Sequence, residues 1–342
     1  MEKTMKRTVK VQFMDYWADF QQKREQYLIL KLLRKHYDVQ ICNDPDYVFY
    51  SVMGETHWGV PDKCIKICHT GENLVPDFNA CDYAIGFEWM DYGDRYIRFP
   101  LYLFYQEALL RAMLHKHEIG PDWNLDEEKN GFCSFVVSNA DNPVRNEAFR
   151  QLSAYRKVDS GGHFLNNVGG PVEDKLAFER SHKFSLCFEN GSHPGYTTEK
   201  LVEALAARTV PIYWGDPEVG KVFNTGSFIQ VKDGASFSEA VRLVKELDQD
   251  DELYIRMLRE PAMRPDAPSL EEEYARLEAW LLSIFEQPLE EAGRRNRSNR
   301  GRIYLESRLA LDRWHHRKQL CGLWFRRFRR GLGKLFGPCW ES

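Results

Sequence analysis

The 342-residue sequence predicts an α/β fold of two similar-sized domains with a cleft between them. Three observations carry this expectation. The N-terminal third alternates strand-like and helix-like apolar spacing. A polar, Gly/Pro-bounded stretch at 121–131 interrupts the pattern and reads as a linker. The same alternation then restarts and continues to about residue 250.

Taken in order, Val9, Val11 and Phe13 alternate with polar residues and read as a first strand. Asp19 to Tyr37 carries Phe20, Tyr27, Leu30, Leu33 and Tyr37 near 3.6-residue spacing, which predicts one helix. Tyr47–Val52 reads as a buried strand, Lys63–His69 alternates again with Ile65 and Ile67, and Tyr83–Phe87 is another short strand. Beyond the linker, Phe132–Ser138, Phe184–Phe188, Val210–Trp214 and Phe228–Val231 are strands. Asn146–Tyr155, Thr197–Ala207 and Ser236–Leu247 are helices between or after them. Glu271–Gln287 is amphipathic, with Tyr274, Leu277, Trp280, Leu281 and Ile284 on one face, and is expected to pack back on the body. The expected organisation is a first domain at 1–120, the linker at 121–131, a second domain at 132–268, a packing helix at 269–290 and a basic tail at 291–342. In open α/β sheets, ligands bind beyond the carboxyl ends of the strands.

Charge divides the chain unevenly. From Arg294 to Ser342 there are 14 Lys/Arg and 3 Asp/Glu, whereas residues 1–293 hold 33 basic and 48 acidic residues. The net charge of −4 hides this split and by itself predicts neither a nucleic-acid binder nor a very acidic protein. No apolar run of about 18 residues is present, so no membrane-spanning helix is expected. The start, Met1 to Lys10, is charged and leads into no apolar segment, so no secretory signal is read there. Of the eight cysteines only Cys64 and Cys68 are closely spaced, and all are expected as reduced, packed thiols of a cytosolic protein.

The densest chemistry lies in Phe188-Glu189-Asn190-Gly191-Ser192-His193-Pro194-Gly195-Tyr196-Thr197-Thr198-Glu199-Lys200. A strand ends, a Gly/Pro loop crosses, and Thr197 or Thr198 can cap the next helix. Such a helix N-terminus is a natural phosphate site, where Lys200 adds charge and Glu199 can accept from a ribose diol. The plainer alternative makes Glu199 a dipole-favouring first-turn acid and Lys200 a solvated charge. Arg145, in the turn after Phe132–Ser138, offers a planar fork to a diphosphate, or is a surface arginine. Glu72, after Lys63–His69, fits a general base facing the cleft, or a turn acid. Asp44-Pro45-Asp46 and Asp248-Gln249-Asp250 match an Asp-x-Asp metal string but read as a turn and a solvated helix end.

FENGSHPGYTTEKLVEALAARTVPIYWGDPEV, with Ser138-Asn139…Arg145 and Thr70-Gly71-Glu72-Asn73, resembles the α-1,3/4-fucosyltransferases, glycosyltransferase family 10, of the bacterial Helicobacter type. VKVQFMDYW, DYAIGF and RYIRFPLY extend the resemblance, which runs to about residue 265. It implies the GT-B arrangement of two Rossmann-like domains, with GDP-fucose held mainly by the C-terminal one. It implies inversion at the fucose anomeric carbon, with no required cofactor and a divalent metal at most as a stimulant. Residue by residue, it implies Glu199 on the ribose, Lys200 and Arg145 on the diphosphate, Asn190 and Tyr196 lining the site, and Glu72 as catalytic base. The implied acceptor is a GlcNAc or glucose hydroxyl of a lactose or N-acetyllactosamine-type glycan or glycolipid, as in Lewis-antigen or O-antigen synthesis. The loop 191–194 departs from the family pattern at His193 and Pro194, and the acceptor-side loops match it poorly. A transferase for another nucleotide sugar, or a non-catalytic glycan- or membrane-binding protein, are the alternatives.

The tail reads separately. Gly293–Gly301 is polar and arginine-rich and predicts a flexible joint. Beyond it, Leu320, Trp324, Phe325, Phe328, Leu332, Leu335 and Phe336 fall opposite Arg326, Arg327, Arg330 and Lys334 on a helical wheel. This predicts a helix lying on an anionic membrane surface, at the inner face of the cytoplasmic membrane, with no nucleic-acid partner. A solvated helix or a coil is the plainer alternative.

Overall fold

The computed structural model describes residues 6–120, 122–232, 237–311, 313, 314 and 318. Its first sheet holds β1 (Thr8–Met14), β2 (Asp38–Ile41), β3 (Tyr47–Tyr50), β4 (Ile65–His69), β5 (Tyr83–Gly86) and β6 (Tyr96–Arg98), ordered β2-β1-β3-β4-β5-β6 and parallel throughout. A parallel sheet needs cover on both faces, and β3, β4 and β5 are buried at every position. The second sheet holds β7 (Gly131–Phe135), β8 (Val158–Ser160), β9 (His182–Phe188), β10 (Val210–Trp214) and β11 (Ile229–Gln230), ordered β11-β10-β9-β7-β8 and again parallel. β9 and β10 run in register from Phe184 opposite Val210 to Phe188 opposite Trp214, so both strands stop together.

The loops leaving the carboxyl ends of the two sheets meet each other. A Cβ on Gly191, after β9, would lie 2.9 Å from Asn73 Nδ2, after β4. Gly195 has φ +84, and a Cβ there would lie 2.3 Å from the carbonyl oxygen of Phe87, after β5. Both the backbone angle and the close approach require glycine. Two Rossmann-like sheets facing each other across a cleft make the GT-B arrangement.

The predicted helix Asp19–Tyr37 is two pieces, Phe20–Lys23 and Leu28–His36, parted at Tyr27, whose ψ of 127° is extended. Tyr27 leaves the helix because its ring is buried edge-on against Phe13 and Phe20, and its hydroxyl meets those of Tyr16 and His69 Nδ1. Strands β2, β6 and β8 and the helix Glu107–Leu114 are additions to the sequence reading. Cys64, Cys68, Cys81, Cys133 and Cys187 are buried free thiols.

The helix Leu270–Phe285 opens with a capping box between Ser269 and Glu272 and returns to the first sheet. Phe285 stacks on Tyr47 with centroids 4.0 Å apart, and Trp280 Nε1 donates to Asp94 O at 3.0 Å. The stretch that follows is anchored, contrary to the expected joint at 293–301. Arg295 pairs with Asp82 at 2.8 Å, with side chains only 3% and 0% exposed, and also donates to Asp62 O and Cys64 O. Arg294 pairs with Asp94 at 2.8 Å. A buried ion pair with its remaining donors satisfied costs several kcal/mol to break, so this segment is held in place. Residues 299–311 are helical. The expected membrane helix from Leu320 to Phe336 lies outside the described residues.

Candidate active site

The second sheet's central turn is organised by an acid whose role the sequence reading missed. Glu189 follows β9 and is fully buried. Its carboxylate accepts from Thr198 N at 2.8 Å, Thr198 Oγ1 at 2.6 Å and Lys200 Nζ at 3.1 Å. Burial pushes its carboxyl up, against the pull of Lys200. Because the Thr198 hydroxyl is turned to Glu189, no side chain caps the helix Glu199–Ala206. Apart from Glu199 N, which its own carboxylate engages, its first amides stand at the positive end of the dipole.

Lys200 Nζ spends its donors on Glu189, Thr198 Oγ1 at 3.1 Å and Glu199 Oε1 at 3.2 Å. Burial opposes its charge, yet Glu189 and Glu199 win and hold its pKa above the usual lysine value. Burial likewise pushes Glu199 up, but Lys200 and Lys175 leave it below the usual carboxylate range, hence ionised. Lys175 is itself fixed by Glu203 at 2.5 Å. This mutual dependence rules out the plain reading of Lys200 as a free surface charge.

Arg145 is no surface arginine either. It is 1% exposed and sits in the first turn of the helix Pro143–Tyr155, where Asn142 caps the helix by accepting from Arg145 N at 3.0 Å. Its guanidinium donates to Asn139 O at 2.5 Å and Asn190 Oδ1 at 3.3 Å, while its buried Nε has no partner among the described residues. Asn142 also donates to Glu189 O at 3.0 Å, tying the two turns together. Asn190 is exposed at this junction. Tyr196 is buried with its ring 5.1 Å from Phe87, and burial plus Glu189, Glu72 and Glu199 raise its pKa.

From the first domain, Glu72 faces this group. Its N donates to Thr70 Oγ1 at 2.9 Å, and its O accepts from Leu74 N at 2.7 Å. No side chain among the described residues hydrogen-bonds its carboxylate. The neighbouring Asn73 lies against Gly191. His193, one of the two departures noted in the loop, reaches back with Nε2 2.6 Å from Glu88 Oε1. Tyr105 comes up to Glu199 from the same domain.

The Asp-x-Asp strings have other partners. Asp44 lies near Lys63 at 3.5 Å; Asp248 pairs with Arg156 at 3.1 Å; Asp250 caps the helix Asp251–Leu258. Among the described residues no group of three or more His, Cys, Asp or Glu is arranged to hold a metal ion.

Residues 11–105 match the α-(1,3)-fucosyltransferase FucT N-terminal domain, and residues 126–260 the C-terminal part of the glycosyltransferase family 10 fucosyltransferases. The chain is 34% identical over 286 residues to α-(1,3)-fucosyltransferase FucT of Helicobacter pylori, a match covering 74% of this chain and 60% of that protein. It is 34% identical over 221 residues to a putative fucosyltransferase of Acanthamoeba polyphaga mimivirus, covering 60% of this chain and 35% of that one. The chain thus spans 60% or less of these relatives' lengths. The crystal structure of an α1,3-fucosyltransferase with GDP-fucose superposes with a TM-score of 0.70 at 31% identity, over 84% of this chain and 93% of that one. With both halves matched and the hallmark from Phe188 to Lys200 built into one turn, the chain belongs to glycosyltransferase family 10, the fucosyltransferases.

Proposed function

We propose that the chain transfers L-fucose from GDP-fucose to a sugar hydroxyl, with inversion at the anomeric carbon. The observation that carries this reading is the facing of Glu72, whose carboxylate has no side-chain partner among the described residues, and the fixed cations Arg145 and Lys200 across the Asn73–Gly191 contact. In the proposed step Glu72 takes the proton of the acceptor hydroxyl as its oxygen attacks the anomeric carbon. The bond to the GDP oxygen breaks on the opposite face, and its electron pair stays with the β-phosphate. The developing charge is met by groups that need no reorganisation: the open amides of the helix Glu199–Ala206, the unpartnered Arg145 Nε, and Lys200 as a fixed positive field. Glu199, held ionised, suits the ribose diol. Asn190 and Tyr196 complete the donor site.

The acceptor in this reading is the GlcNAc or glucose of a lactose or N-acetyllactosamine-type glycan or glycolipid. Turnover proceeds without a required divalent metal, because side chains supply the countercharge. The basic C-terminal segment holds the enzyme at an anionic, inner-leaflet membrane surface. Exposed Ile303 and Leu311 beside Arg302 and Arg308 on the helix 299–311 support that placement.

A donor panel tests the reading. GDP-fucose, GDP-mannose and UDP-sugars are incubated with lactose or N-acetyllactosamine and chelator, and nucleotide release and product are quantified. Fucosylated product from GDP-fucose alone is expected. Transfer from a different nucleotide sugar, or no release from any of them, overturns it.

A further inference from the structure

A cleft of 730 Å³ opens at the carboxyl ends of β3 and β4, lined by Tyr50, His57, Trp58, Thr70, Leu74 and Val75 together with further apolar residues and the charged Glu55, Asp77 and Arg308. Thr70 and Leu74 are the two residues that bracket the backbone of Glu72. The cleft and the unpartnered carboxylate therefore share one loop.

One residue of its wall, His57, is held from behind by Asp15. Asp15, with φ +58, is a non-glycine residue in the left-handed region, a conformation that Asp tolerates better than most. Its carboxylate accepts from Thr56 N at 3.1 Å, Thr56 Oγ1 at 2.5 Å, His57 N at 2.8 Å and His57 Nδ1 at 2.6 Å. Gly54 closes over it, since a Cβ there would lie 2.6 Å from Asp15 Oδ1. An ionised carboxylate only accepts, so the proton sits on His57 Nδ1. In the neutral ring Nε2 is then an acceptor, and it has no hydrogen-bond partner among the described residues. Tyr50 stacks on the imidazole at 4.1 Å and 10°, fixing its plane. Around it, Val52, Met53, Leu74 and Val75 are 36–53% exposed. Largely apolar walls with an oriented acceptor among polar groups match a pyranoside, which has apolar C–H faces and hydroxyl donors.

Resting on the fucosyl-transfer reading, we propose that this cleft is the acceptor-sugar subsite, in which Asp15-oriented His57 accepts a hydrogen bond through Nε2 from an acceptor hydroxyl beside the one that attacks. His57 then sets which hydroxyl meets Glu72; it takes no proton itself.

The test is acceptor kinetics with N-acetyllactosamine at saturating GDP-fucose. His57→Phe keeps the ring on Tyr50 but removes Nε2, and the acceptor KM is expected to rise about tenfold. Its kcat falls far less, and calorimetric GDP affinity is unchanged. His57→Gln, whose amide oxygen reaches towards the Nε2 position, recovers part of the loss. If His57→Phe does not fold, Trp58→Ala on the same wall is read in the same way. An unchanged acceptor KM, or a GDP affinity that falls in step, overturns the subsite. A wild-type enzyme inactive with GDP-fucose overturns the parent reading instead. Saturation-transfer NMR of N-acetyllactosamine on wild type and His57→Phe then decides the subsite on its own: a signal lost in the variant supports it, and equal or absent signals overturn it.

Discussion

The two sides of the cleft are prepared in opposite ways. On the C-terminal side Glu189, Glu199, Lys200 and Arg145 are all tied into hydrogen bonds, and the pairs hold one another's charge states. On the N-terminal side Glu72 has no side-chain partner among the described residues and stands beside exposed Leu74 and Val75. The difference follows from what each side is asked to do. Charge appearing on a leaving group is best met by charges already fixed in place. A base must exchange a proton within one turnover, so it needs freedom from competing partners.

The sharpest way to break this contrast is Glu72→Gln. It keeps size and polarity but cannot accept a proton, so kcat is expected to fall by about 10²–10⁴-fold. Calorimetric GDP affinity should stay at the wild-type value. Turnover near wild type would remove Glu72 from the reaction. A smaller effect is expected on the tied side. Lys200→Ala removes the positive field and should weaken GDP binding about tenfold to a hundredfold. It also strands the buried Glu189 carboxylate, so its melting temperature should fall as well. Unchanged GDP affinity in a folded Lys200→Ala protein would mean that the charge serves only the fold.

The smallest effect concerns Asp15, a tightly tied acid on the otherwise open side. Burial pushes its carboxyl up, but the hydrogen bonds from His57 and Thr56 prevail and hold it at about 2 against 3.8 in the unfolded chain. A depressed carboxylate stabilises the fold above its unfolded pKa and loses that contribution as pH falls through the folded value. Roughly 2 kcal/mol is therefore present near neutrality and lost as the medium is acidified towards pH 2. In urea titrations across that range, the stability gap between wild type and Asp15→Asn should narrow as pH drops. A constant gap would show that Asp15 does not titrate between the two states.

What the sequence disclosed depended on how far apart the cooperating residues lie. Phe188 to Lys200 is contiguous, so strand, loop and helix start could be read together, with the donor-side residues Asn190, Tyr196, Glu199 and Lys200 in one stretch. Glu189 escaped because an acid in a loop looks solvated; only the fold reveals three donors closing on it. Arg295 was read as part of a polar joint because its partner Asp82 lies 213 positions earlier. The break at Tyr27 was invisible because 3.6-residue spacing persists on both sides of it. β6 and β8 have three residues each, too few for alternation to register.

The return of the helix Leu270–Phe285 to the first sheet bears on how the protein is made. All strands of the second sheet lie between Gly131 and Gln230, so that domain's core is in hand soon after its last strand is synthesised. The first sheet is synthesised earlier but completed later, since Phe285 and Arg295 cover Tyr47 and Asp82. At ribosomal speeds of about 5–20 residues per second, the roughly 200 residues between β6 and Arg295 impose a wait on the order of 10–40 s. Throughout it, the stacking face of Tyr47 and the carboxylate of Asp82 lack their final cover, a nascent surface that a chaperone would meet. Assembly of the molecule thus runs counter to the order of its chain.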